Sequence, residues 1–179
     1  MNRNLPGSRN PLFLFACLTA LSLGITSAIA GHAQVSLTQI SSDPFTVGPG
    51  QHATEVEPHV LANGTTLVSA FQTGRISPGG ATAIGWATST NGGSTWTNGF
   101  LPGLTTGYDS GPYNAASDAA VAYDAKHGVW MIATLPISNT SEIPAMAVSR
   151  STDGGLTWGN PVLIGPPGTG LRQGMDRVR

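Results

Sequence analysis

One octapeptide occurs twice, and it constrains this chain more than any other feature. Ser89-Thr90-Asn91-Gly92-Gly93-Ser94-Thr95-Trp96 returns as Ser151-Thr152-Asp153-Gly154-Gly155-Leu156-Thr157-Trp158, 62 residues further on. The flanks repeat as well, because Ala83-Ile84-Gly85-Trp86-Ala87-Thr88 leads into the first copy and Ala145-Met146-Ala147-Val148-Ser149-Arg150 into the second. Upstream, Glu57-Pro58-His59-Val60 aligns with Asp118-Ala119-Ala120-Val121 at an offset of 61, and Leu67-Val68-Ser69 with Met131-Ile132-Ala133 at 64. Three blocks holding nearly one offset mark a duplicated unit. A chain built this way buries its apolar faces by stacking unit on unit.

Each unit reads as short apolar runs separated by turn signals. In the first these are residues 56–62, the turn Asn63-Gly64, residues 67–72, residues 83–89, the octapeptide, and a weak return strand around Trp96. In the second they are residues 119–123, a turn at Lys126-His127-Gly128, residues 129–134, residues 145–151, the octapeptide, and residues 161–164. Four strands per unit of roughly 60 residues is the pattern of a β-propeller blade. An antiparallel sandwich with two similar hairpins is the competing architecture. The octapeptide at the same place in both units favours the propeller, so the expected fold class is all-β, a partial propeller of two four-stranded antiparallel blades.

Composition agrees and closes other routes. Gly 24 and Pro 13 exclude a long helical bundle or coiled coil. Charged residues are only 9%, against about 25% in ordinary soluble domains, while aromatics are retained, which argues against disorder. A formal net charge of -1 provides no basic surface for nucleic acid. Between Gly31 and Gly170 three bases (Arg75, Lys126, Arg150) face eight acids.

The octapeptide has a local physical logic. Ser, Asp or Asn, and Thr side chains bond the backbone of a tight loop. The paired glycines permit left-handed backbone, and the tryptophan anchors the loop on apolar surface. Ser-x-Asp-x-Gly-x-Thr-Trp resembles the Asp-box, or BNR repeat, of sialidase-like β-propellers. The match at Ser151, Asp153, Gly155, Thr157 and Trp158 is complete. At Ser89, Asn91, Gly93, Thr95 and Trp96 it has one substitution, Asn91, which keeps the acceptor oxygen and loses the charge. The resemblance covers residues 56–164. It implies that these ten residues are structural, in hairpin turns away from the catalytic mouth, within a ring of about six or seven blades when complete.

For function, the resemblance implies a secreted glycoside hydrolase of the sialidase-like superfamily, at most an exo-α-sialidase. The other reading is a non-catalytic propeller that binds glycans or extracellular protein. A sialidase needs an arginine triad to hold the substrate carboxylate bidentately, a Tyr-Glu nucleophile pair and an Asp acid/base. The first arginine belongs to a Phe/Tyr-Arg-Ile-Pro motif ahead of the first box. Here only Arg75-Ile76-Ser77-Pro78 approaches it, and Arg150 directly precedes the second box. Three arginines are not found, so no catalytic set is assigned and no activity is expected of this chain by itself.

The remaining candidates read as follows. Glu55 and Glu57 alternate at a strand start and so share a face, where paired carboxylates could do acid/base work. The usual role of such a pair is a solvated strand end. Tyr108, Asp109 and Tyr113 lie in a Gly-rich connecting segment, residues 103–117, which could stack on a sugar or simply connect. His52, His59 and His127 lack metal-ligand spacing, and no metal or cofactor is expected. Asn63 and Asn139 begin glycosylation sequons.

Both ends read as separate from the repeat. Arg3 and Arg9 precede an apolar stretch at residues 12–25, followed by small residues that offer cleavage after Ala30 or Ala33. This is the form of a secretory signal peptide, and it predicts a secreted, periplasmic or surface protein with no membrane contact after cleavage. An uncleaved membrane anchor is the alternative. Cys17, the one cysteine, leaves with the signal, which excludes disulfide and Cys-metal scaffolds. Residues 31–54 then form an N-terminal segment, 55–102 the first blade, 103–117 the connector and 118–170 the second blade. Residues 171–179 hold Arg172, Arg177 and Arg179 and read as a frameshifted tail. Met175-Asp176 becomes Trp one base forward, whatever the aspartate codon. Two blades cannot close a ring, so the chain reads as the first part of a larger propeller, with a ring of several two-blade chains as the alternative.

Overall fold

Short runs of small and β-branched residues, broken by Asn-Gly and Gly-Gly turns, produce strands throughout. The computed structural model describes residues 36–138 and 145–165. Its strands are β1 (Glu55–Asn63), β2 (Thr66–Arg75), β3 (Ala81–Ser89), β4 (Thr97–Phe100), β5 (Ala115–Asp124), β6 (Val129–Ile137), β7 (Met146–Ser151) and β8 (Val162–Ile164). No helix occurs among the described residues, so the fold class is all-β. The signal stretch with Cys17, the cleavage sites at Ala30 and Ala33, the sequon at Asn139 and the arginine-rich end lie outside the described residues.

β1 to β4 form one antiparallel meander and β5 to β8 a second. A single pairing, Ala81 with Ala116, links the two along one sheet path. These are the two blades. Their registers superpose strand by strand: Leu67 pairs Ser89 as Trp130 pairs Ser151, and Val60 pairs Ser69 as Val121 pairs Ile132.

That register corrects the expected alignment of the second strands from an offset of 64 to 63. The cause lies in the preceding turns. Two residues separate the paired Asn63 and Thr66, whereas four separate Asp124 and Val129, so an offset of 61 before the turn becomes 63 after it. A one-residue slip in a strand exchanges its two faces. Val68 therefore corresponds to Met131, not to Ile132. The start of β5 at Ala115 also takes three residues from the expected connector.

The core lies between the blades. Val68, Ala70, Ile84 and Trp86 of the first meet Val121, Trp130, Ile132 and Ala147 of the second, with Leu101 and Leu104 of the connector. Each large side chain so buried contributes about 1.5–3 kcal/mol. Polar bonds cross the same joint. Thr88 Oγ1 donates to the Gly155 carbonyl at 2.7 Å, and the Val121 N–H donates to His59 Nδ1 at 3.1 Å. The indoles of Trp86 and Trp158 lie 6.3 Å apart at 51°.

Strand direction sorts the loops onto two ends. One end carries the β1–β2 and β5–β6 turns and both octapeptides. The other carries the β2–β3 turn, the connector and the end of β6.

Candidate functional site

The two octapeptides occupy equivalent hairpins, β3–β4 and β7–β8, and share most of their bonds. Ser89 Oγ accepts from the Gly93 N–H at 2.8 Å, and Ser151 Oγ from the Gly155 N–H at 2.9 Å. Asn91 Oδ1 accepts from the Thr95 N–H at 2.9 Å, and Asp153 Oδ1 from the Thr157 N–H at 3.0 Å. At both inner glycines φ is positive, 89° at Gly93 and 85° at Gly155, a region that other residues rarely adopt. These bonds close each loop on itself.

Asp153 differs from Asn91 in carrying charge. The Thr157 hydroxyl, donating to its Oδ2 at 2.5 Å, holds the carboxyl down at about 2 from the ordinary 3.8. Burial opposes it as the next largest effect, while the N–H groups of Thr157 and Leu156 and the Ser151 hydroxyl add to the lowering. A carboxylate saturated with donors in this way is a loop-closing group, not an acid or base for substrate.

The tryptophans part company. Trp96 is half-buried, and its Nε1 donates to the Gly93 carbonyl of its own loop at 3.0 Å. Trp158 is buried against Trp86, and its Nε1 has no partner among the described residues. The Gly155 carbonyl is meanwhile taken by Thr88 of the other blade. The second octapeptide is docked on the neighbouring blade, whereas the first bonds within its own blade, to itself and to Thr65 of the β1–β2 turn.

At the opposite end a cleft of ≈ 460 Å³ opens between the β2–β3 turn, the connector and the end of β6. Pro49, Ile76, Pro78 and Ile137 give it apolar walls, and Thr82, Thr106, Asn114 and Ser138 add polar groups. No Asp, Glu, Arg, Lys or His is among its described lining residues. The Thr82 hydroxyl donates to the Gly74 carbonyl and its own carbonyl accepts from Thr105, which pins the cleft floor to both β2 and the connector. The described lining can hold a neutral polar ring and includes no group for proton transfer.

The candidate residues fall at separate places. Arg75 ends β2 at the cleft end and is exposed, while Arg150 lies on β7 next to the octapeptide, at the other end. No arginine cluster exists among the described residues. Glu55 accepts from the Ser41 hydroxyl and Glu57 from Gln72 Nε2, each at 2.6 Å, so the two carboxylates have different partners. A register shift between Val56 and His59 also breaks the alternation that would have put them on one face. The Tyr108 ring packs on Phe100, which packs on Phe45, at centroid distances of 5.2 and 5.1 Å. Tyr113 packs against the core, and the Asp109 carboxylate accepts from the Gly103 N–H. His59 bridges the blades, His127 bonds Asp124 in the β5–β6 turn, and His52 lies in the segment before β1.

The sequence reading missed one pairing. Glu57 and Asp118 both adopt positive φ, 53° and 51°, each inside a register shift near the start of the first strand of its blade. Left-handed backbone at a non-glycine residue costs of order 1–3 kcal/mol and concentrates at functional positions. Their equivalence at an offset of 61 was already visible in the aligned blocks, but nothing in either tetrapeptide announces a bulge. Leu135 stands where Gln72 stands in the first blade, so the bond that holds Glu57 is not repeated at Asp118.

No family model matches the chain, and no curated protein matches it. Among solved structures it is similar to the exo-beta-1,3-galactanase of Phanerochaete chrysosporium with galactose, at 14% identity and a TM-score of 0.42. That match covers 63% of this chain and 27% of the other. A putative exo-beta-1,3-galactanase of Bifidobacterium bifidum is similar at 10% identity and a TM-score of 0.41, over 60% of this chain and 36% of that one. The chain thus spans about a quarter to a third of the length of the structures it resembles.

Proposed function

We propose that this chain is part of a secreted Asp-box propeller of the sialidase-like, glycoside-hydrolase type, and that residues 1–179 do not turn over substrate by themselves. The observation that carries the reading is the placement of both octapeptides in equivalent hairpins at one end, with the cleft at the other. Inactivity is supported by Arg75 and Arg150 lying at opposite ends and by the lack of ionisable groups among the described residues of the cleft. Purified chain is expected to release no fluorophore from a fluorogenic sialoside. Release that is abolished by Arg75→Ala would overturn the proposal.

A second reading is favoured by the cleft itself. Apolar walls with a few hydroxyl and amide groups suit a neutral sugar ring, which makes a non-catalytic glycan-binding module the alternative. Glycan-array binding lost on Asn114→Ala supports that reading, and an array without signal counts against it. Secretion is read from the first 30 or 33 residues, and N-terminal sequencing of exported protein tests it. A mature start at Gly31 or Gln34 is expected, and retention of Met1 in the membrane fraction contradicts it.

A further inference from the structure

We infer that Asn63 is a site of spontaneous deamidation, and that the fold shields the chain's two other Asn-Gly pairs, Asn91-Gly92 and Asn98-Gly99, from the same reaction. Glycine after asparagine leaves the main-chain nitrogen open to approach, because no Cβ screens it. In the reaction the Gly64 nitrogen loses its proton to base and attacks Asn63 Cγ. A C–N bond closes a cyclic imide, the Cγ–Nδ2 bond breaks, and ammonia leaves. Water then opens the imide at either carbonyl. Opening at Cγ leaves aspartate, and opening at the main-chain carbonyl leaves isoaspartate, whose backbone runs through the former side chain. The net change is asparagine plus water to a carboxylic acid plus ammonia. Attack requires the nitrogen to come within about 3–3.5 Å of the side-chain carbon in the right alignment, so whatever fixes either group slows it.

At Asn63 neither group is fixed. Gly64 is the first of two turn residues between the paired Asn63 and Thr66, with φ of 60° and open space where a Cβ would stand. Its N–H and the Asn63 amide have no hydrogen-bond partner among the described residues. Asn63 is exposed. Alternation from His59 through Leu61 puts Asn63 on the side of β1 that meets the second blade, so its exposure does not come from the open face of the first blade.

At Asn91 both groups are fixed. The Gly92 N–H donates to the Thr65 carbonyl at 2.8 Å. Asn91 Oδ1 accepts from the Ser89 hydroxyl and from the Thr95 N–H, each at 2.9 Å, and its Nδ2 donates to Thr95 Oγ1 at 2.8 Å. The bonds that shape the first octapeptide therefore also preserve its uncharged asparagine. Asn98-Gly99 lies within β4, where Gly99 pairs with Trp86 and the ladder fixes the extended backbone. The turn at Asn63 is itself tied to the octapeptide. Thr65, next after Gly64, holds the Gly92 N–H and donates its hydroxyl proton to the Thr90 carbonyl at 3.1 Å. Isoaspartate lengthens the main chain of that tight turn, so modification at Asn63 loosens the grip on the neighbouring hairpin.

The test is incubation of the full chain in warm, mildly alkaline buffer, followed by peptide mapping with mass spectrometry that separates aspartate from isoaspartate. Folded chain is expected to convert Asn63 about tenfold or more faster than Asn91 or Asn98, because reaction at those two must await local opening. In urea, where each asparagine simply precedes a glycine, the three rates are expected to agree within about threefold. Thr95→Val, an exposed change that unties the Asn91 amide, is expected to speed Asn91 and to leave Asn63 unchanged. Equal rates in the folded chain overturn the inference. So does an Asn63 that stays intact over the time in which urea-unfolded chain is converted. An Asn91 rate that Thr95→Val does not raise overturns the shielding assigned to the octapeptide.

Discussion

Thr88 in one blade donates its hydroxyl proton to the Gly155 carbonyl of the other across 2.7 Å, and both residues are buried. This bond ties an octapeptide loop to the neighbouring sheet, so the loop belongs to the joint as much as to its own hairpin. Thr88→Val keeps the shape and strands a buried carbonyl, at a cost of about 1–3 kcal/mol. For a chain of this size that lowers Tm by roughly 3–10 °C. Thermal unfolding followed by circular dichroism checks it, and an unchanged midpoint contradicts it.

The two octapeptide tryptophans should not be equivalent to mutation. Trp158→Ala empties a buried site against Trp86 and is expected to cost about 3–5 kcal/mol. Trp96→Ala removes a half-buried ring and one bond within its own loop, for about half of that. Urea denaturation of both variants gives the comparison. Equal losses would mean that docking adds nothing.

Acid should expose the charge difference between the loops. The folded pKa of Asp153 is about 2, below the ordinary 3.8, so its stabilisation is complete above about pH 4 and is lost as pH falls toward 2. The carboxylate is exposed, and solvent screening limits the effect to about 1 kcal/mol. Asp153→Asn, which copies the state of Asn91, is expected to flatten the stability profile between pH 4 and 2. A variant as acid-sensitive as the parent there would place the effect elsewhere.

Glu57 and Asp118 hold left-handed backbone in equivalent bulges. Asp118→Gly relieves that strain while loosening the unfolded chain, so its stability should stay within about 1 kcal/mol of the parent. Asp118→Val cannot adopt the conformation easily and should lose about 2 kcal/mol or more. If valine is tolerated as well as glycine, the bulge is not a constraint.

How much of this was legible beforehand differs by residue. The octapeptides were legible because their chemistry is local: Ser89 and Asn91, like Ser151 and Asp153, bond groups within four residues. The strands followed from alternation and turn residues. The bulges at Glu57 and Asp118 were not, because alternation assumes an unbroken pleat and would put Glu55 and Glu57 on one face. The docked state of Trp158 was equally hidden. Its partner Trp86 is 72 residues away in the chain, and only the stacking of blades brings the rings together. The neutral cleft was missed because loops far apart in sequence form it, and because threonine and proline carry no motif.

The account rests on one blade's octapeptide docking on the next, and a double-mutant cycle between Trp86 and Trp158 measures that directly. Trp86→Ala, Trp158→Ala and the double variant are unfolded in urea, and the coupling energy is taken from the cycle. Packed aromatic rings predict a coupling of about 0.5–1.5 kcal/mol or more, while the same cycle between Trp86 and Trp96 should give about zero. A Trp86–Trp158 coupling indistinguishable from zero would contradict the joint between the blades.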